Sequence, residues 1–117
     1  MRVRSDLFVS ALVRRVFSGG GFAAVTRKGV EEAGAIFVRQ RFRDGLETLF
    51  GPAPQSMISP EGRDDRFFEI RLERVEPSEV DMLLEREARW DPDFWVVEIE
   101  VDAIGGLMPM AGEEGRA

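Results

Sequence analysis

The chain contains no cysteine, no histidine and no tyrosine. Without cysteine there can be no disulfide and no thiolate nucleophile. Without histidine as well, imidazole or thiolate zinc sites and histidine-based triads are excluded. Any catalysis would rest on carboxylates, arginine, Lys28, serine or threonine. Most enzymes of this size use one of the missing residue types, so the composition leans away from an enzyme. No stretch approaches the roughly 18 consecutive apolar residues of a membrane span. Basic residues precede Leu7-Phe8-Val9, but Arg14-Arg15 cut that block short of a secretory signal peptide. The expectation is a cytoplasmic protein that does not enter the membrane.

What is present describes an ordinary globule. The 117 residues, 44% hydrophobic and 32% charged, suffice for one domain with its own core. The net charge of −6 is unevenly spread: residues 1–50 hold nine Lys+Arg against five Asp+Glu, and residues 51–117 hold seven against seventeen. Oppositely charged halves attract within one fold, or meet across a subunit interface.

The pattern predicts a helix over 5–18, with Ser5 or Asp6 as cap and Val9, Leu12, Val13, Val16 and Phe17 on one stripe. Gly19-Gly20-Gly21 follows the helix, which suits a C-cap and not a phosphate loop, since such a loop precedes its helix. Strands are predicted at 22–28, 35–43, 46–50 and 65–75, with a hairpin at Asp44-Gly45. In the last of these, Phe68, Ile70 and Leu72 are expected to face inward together. Prolines at 52 and 54 end the third strand and open a long loop over 51–64. A second helix starts at Pro77 or Ser78 and stops before Pro92. The turn Trp90-Asp91-Pro92-Asp93 then launches the strand 94–101; Trp95 belongs to the core by parity, and Trp90 is expected to pack at its rim, the alternative being an exposed interface anchor.

These elements predict an α+β fold: a mainly antiparallel five-stranded sheet with two helices on one face, in the order α-β-β-β-β-α-β. Residues 1–102 form the single domain, and 103–117 form a flexible tail.

The opening amphipathic helix, Glu32-Ala33-Gly34-Ala35, Phe50-Gly51-Pro52-Ala53-Pro54 and above all Asp91 to Glu100 resemble a small bacterial family, the domain of unknown function numbered fourteen-ninety-one. The resemblance covers nearly all of 1–102 and implies a single-domain cytoplasmic bacterial protein. It brings no activity and no catalytic residues.

Three constellations remain. Arg39, Arg41 and Arg43 share a strand face with Phe37, as in sheets that stack single-stranded nucleic acid. Glu69, Glu73, Glu98 and Glu100 on neighbouring rows explain the arginines as cross-strand pairs, and the net charge opposes phosphate, so nucleic acid is not expected. Asp91 and Asp93 with Glu98 and Asp102 match no ion-binding loop, so neither metal nor cofactor is expected. Phe37, Phe67, Phe94 and Val96 fall on the outward face, and with Arg39 and Arg41 they are expected to form an apolar patch with a charged rim. The resulting reading is a non-catalytic interaction or self-association module. The alternative is a small anionic ligand or peptide bound under the 51–64 loop.

Overall fold

The computed structural model describes residues 4–54 and 66–111. Helix α1 (Ser5–Ser18) is followed by strands β1 (Phe22–Arg27), β2 (Ile36–Arg41), β3 (Glu47–Pro52) and β4 (Phe68–Val75), helix α2 (Pro77–Trp90) and strand β5 (Trp95–Glu100). The five-stranded sheet has the order β1-β5-β2-β3-β4. β5 runs antiparallel to β1 and parallel to β2, while β2-β3 and β3-β4 are antiparallel. The α+β class and the order of elements agree with the sequence pattern, and the sheet is mixed.

The two helices do not share a face. Phe8, Val9, Leu12 and Val16 of α1 pack with Ile36, Val38, Trp95, Val97 and Ile99. Val80 of α2, with Leu83, Leu84 and Ala88, packs with Phe37, Leu49, Phe94 and Val96. Successive residues of β2 and β5 therefore go alternately to the two helices, as strand geometry demands. The physical reason is the apolar run Phe94-Trp95-Val96-Val97, hydrophobic on both parities, which is stable only in a strand covered on both sides. β5 takes that place by inserting between β1 and β2.

α1 begins differently from the expectation. Its N-cap residue is Arg4, and no side chain caps it. Ser5 is fully buried, and its hydroxyl donates to the Gly34 carbonyl at 2.6 Å while accepting from Arg66 at 2.6 Å. Asp6 accepts from the Leu7 amide and from Arg4. Phe8 is buried in the core, whereas Phe17, expected on the apolar stripe, is half exposed.

In β4, Leu49 pairs with Leu72 but Phe50 pairs with Ile70, so Arg71 is an extra, bulged residue. The bulge sends Ile70 to the α1 side and Leu72 to the α2 side, splitting the expected inward trio. The segment after β5, expected to fray from residue 103, instead packs on the core through Ile104, Leu107, Met108 and Met110. Met110 bridges to Phe68, and the Ala111 amide donates to the Phe68 carbonyl at 2.9 Å, so this segment lies beside the start of β4.

Candidate functional site

The arginine row of β2 is anchored, not free. Glu47, at the start of β3, is completely buried, and its carboxylate accepts from Arg39 Nε at 2.6 Å and from Arg41 Nε at 3.1 Å. Arg39 also reaches Asp81 on α2 at 2.8 Å, which ties β2, β3 and α2 together. Burial disfavours the Arg39 charge, but its hydrogen bonds to Glu47 and Asp81 more than offset this and hold its pKa above the ordinary value. A carboxylate and two guanidiniums so placed are a structural clamp with charge-assisted bonds.

The phenylalanine patch expected on the same face is covered. Phe37 and Phe94 are each 1% exposed and Val96 is 3% exposed, all three beneath α2. The two rings meet edge to face, with centroids 5.3 Å apart. The Arg27 guanidinium caps the Phe94 ring at 4.3 Å. Phe67 precedes β4 and is half-buried, its carbonyl accepting from the Ala53 amide at 2.9 Å. Three of the residues grouped as an exposed interface, Phe37, Phe94 and Val96, thus belong to a second core, made when α2 closes over the sheet.

The turn 90–95 is a packing device built with two glycines. A Cβ on Gly29 would lie 2.4 Å from the Asp93 carbonyl oxygen, and one on Gly34 would lie 2.6 Å from it. This close approach lets the Val30 amide donate to Asp93 O at 3.2 Å and the Trp95 indole donate to Val30 O at 2.9 Å. Asp91 accepts from the Asp93 amide at 3.1 Å, the local role common to aspartate in turns. Pro92 O accepts from Arg27 at 2.7 Å. Trp95 is core, as its parity requires, whereas Trp90 is 85% exposed at the end of α2 and does not pack at the rim.

Among the described residues, no group of three or more Asp or Glu could hold a metal ion. No helix among them is long and apolar enough to cross a membrane. Residues 55–64 of the loop, where the alternative ligand site was expected, lie outside the described residues. Pro52, at the described start of that loop, accepts from Arg71 at 2.6 Å.

The sheet edges, which sequence reasoning missed, differ from each other. The β4 edge is met at its first residue, Phe68, by Pro109–Ala111. The β1 edge has no neighbouring strand among the described residues. Beside it Phe17 and Phe22 stack edge to face at 5.6 Å, 50% and 51% exposed, and Val25 is 44% exposed. The available signal was the composition of Phe22 to Lys28: small residues, then Thr26, then two cations, as edge strands carry.

A family model described as "Protein of unknown function (DUF1491)" matches residues 3–108. The chain belongs to this family. Its fold agrees with solved structures: the solution structure of protein Atu0922 from A. tumefaciens is 62% identical, with a TM-score of 0.84 over 94% of this chain and 95% of that one. The crystal structure of a DUF1491 family protein from Caulobacter crescentus is 36% identical, with a TM-score of 0.75 over 94% of this chain and 97% of that one. The NMR structure of a DUF1491 family protein from the same organism, also 36% identical, has a TM-score of 0.75 over 96% and 99% of the two chains. No curated protein matches the chain.

Proposed function

We propose that this DUF1491 chain is a non-catalytic interaction module that forms a two-fold dimer through the open edge of β1. The observation that carries the reading is the β1 edge, without a strand partner among the described residues and lined by half-exposed Phe17, Phe22 and Val25. An edge strand offers a row of unpaired amide and carbonyl groups, and large exposed apolar side chains beside it add burial to hydrogen bonding.

The occupant that fits is a second copy. An antiparallel strand pair is self-complementary under a two-fold axis, so β1 can pair with its own equivalent. The bulge between Val25 and Arg27 limits the usable edge to Phe22–Val25 and sets its register. Head-to-tail growth from β1 onto β4 would meet the Pro109–Ala111 segment at Phe68, the first residue of β4. A two-fold pairing uses the single β1 edge of each copy, so the association closes at two copies.

Light scattering tests this. Phe22→Asp and Val25→Asp place a charge on the rim without entering the core, and both are expected to give monomers of unchanged fold. Trp90→Ala, on the exposed end of α2, is expected to leave the dimer intact. Dissociation by Trp90→Ala, with no effect of either β1 variant, would move the interface to α2 and refute the β1 edge.

A further inference from the structure

The parallel pair β2-β5 ends in a cleft. Parallel neighbours cannot be joined by a tight hairpin, so beyond their last paired residues, Gln40 and Ile99, the chains part. β2 turns into the Asp44-Gly45 hairpin, and β5 runs into the segment that docks under α1. The Gln40 side chain donates to the Val101 carbonyl at 3.0 Å and braces the point of divergence. Beyond it lies a cleft of about 690 Å³, floored by the Gly19–Gly21 turn and lined by Arg15, Arg41, Arg43, Glu100 and Asp102 among others. It lies at the opposite end of β2 from the loop that follows β3, because Phe50 pairs with Val38 and Pro52 lies further toward the start of β2.

The charges here differ from the clamp of the previous site. Arg41 is already held by Glu47. Arg15 spends one nitrogen on the Leu107 carbonyl at 3.1 Å and forms no ion pair among the described residues. Arg43, Glu100 and Asp102 form no ion pair or side-chain hydrogen bond among the described residues. Two arginines with open donors thus line the same cleft as two acidic residues with open acceptors. A bare anion would satisfy the first pair and be repelled by the second. A ligand carrying both an anionic group and hydroxyl donors satisfies all four. In the glycine turn, Gly20 stands at φ +92° with open space where a Cβ would be, while Gly21 is required by packing, since its Cβ would lie 2.7 Å from the Val101 side chain. The volume falls in the range of sites for metabolite-sized molecules, and is more than inorganic phosphate needs. The position, outside the carboxyl ends of adjacent parallel strands, is where open sheets flanked by helices on both faces accept ligands.

We propose that this cleft binds a phosphorylated, hydroxyl-bearing small molecule of nucleotide or sugar-phosphate size, with Arg15 and Arg43 on the phosphate and Glu100 and Asp102 on the hydroxyls. This is independent of the β1 edge, since every group named belongs to one chain.

The test is an amide chemical-shift titration of the full chain with four probes: AMP, ribose 5-phosphate, inorganic phosphate and adenosine. Saturable shifts at Gly19–Gly21, Arg43 and Asp102 are expected with AMP or ribose 5-phosphate, weaker ones with inorganic phosphate and none with adenosine. AMP alone assigns nucleotides, and a response to both assigns the phosphorylated sugar they share. Arg43→Ala is expected to weaken binding about tenfold, with a well-dispersed spectrum reporting an intact fold, and Arg86→Ala on α2 to leave it unchanged. Absence of a saturable shift with every phosphate probe overturns the proposal. Binding undiminished in Arg43→Ala, or adenosine binding as tightly as AMP, also overturns it.

Discussion

Arg39 and Glu47 meet at 2.6 Å beneath α2, with the carboxylate fully shielded from solvent and the arginine side chain only 12% exposed. A pair this deep is maintained by mutual neutralisation: removing one partner leaves the other as an uncompensated buried charge. Glu47→Gln is therefore expected to cost about 3 kcal/mol of stability, because it strips Arg39 of its closest counter-ion and Arg41 of its own. Urea unfolding measures this. A loss below about 0.5 kcal/mol, the scale of a surface pair, would contradict the buried clamp.

Phe94→Asp tests the closure of α2 over the sheet. With Phe94 only 1% exposed against Phe37, the variant places a carboxylate in the α2 core and is expected to lose cooperative unfolding in circular dichroism. A folded variant with wild-type stability would mean that α2 does not cover that face.

Gly29→Ala addresses the 90–95 turn. Its methyl group would sit 2.4 Å from Asp93 O, a backbone atom that can yield only by moving the turn. The expected loss is about 2 kcal/mol, read by thermal unfolding, accompanied by a shift of the Trp95 indole proton as its bond to Val30 O is strained. An unchanged indole resonance would argue against the close approach.

The two tryptophans report separately. Trp95 is 4% exposed and Trp90 is 85% exposed. Trp90→Phe is expected to leave blue-shifted fluorescence resistant to acrylamide, and Trp95→Phe to leave red-shifted fluorescence that quenches readily. Equal quenching of both variants would contradict the exposure of Trp90.

Asp6 gives a pH dependence of known sign. The hydrogen bond from Arg4 holds its carboxyl below the ordinary value, against a smaller opposing effect of desolvation. Its contribution is present above the pKa of the unfolded chain and is lost as the pH falls through the lower folded value. Asp6→Asn is expected to remove that acid-side loss from the stability profile. Identical profiles for the two proteins would show that the Arg4 contact is not formed in solution.

Much of this fold was legible in the sequence because each element satisfied a local rule. Period, caps and turn residues placed α1, α2 and all the strands to within a few residues. The largest failure has a simple cause: a sequence states which residues alternate, but not what covers each side. Phe37, Phe94 and Val96 were assigned to an outer face correctly by parity, and the step to an exposed patch failed because α2 was assigned to the wrong layer. The apolar run 94–97 held the clue, since a strand with only one buried face has no use for it. The Leu72 error arose from a bulge at Arg71, which no alternation rule registers. The exposed edge of β1 follows from strand order, set by long-range pairing of β5.

The central functional claim is that two copies join through β1, and sedimentation equilibrium of the wild-type chain over a wide concentration range tests it most directly. The account predicts a mass rising with concentration to twice the 13.2 kDa of the chain and no further. A single-chain mass at every concentration, or growth past the dimer, would contradict it.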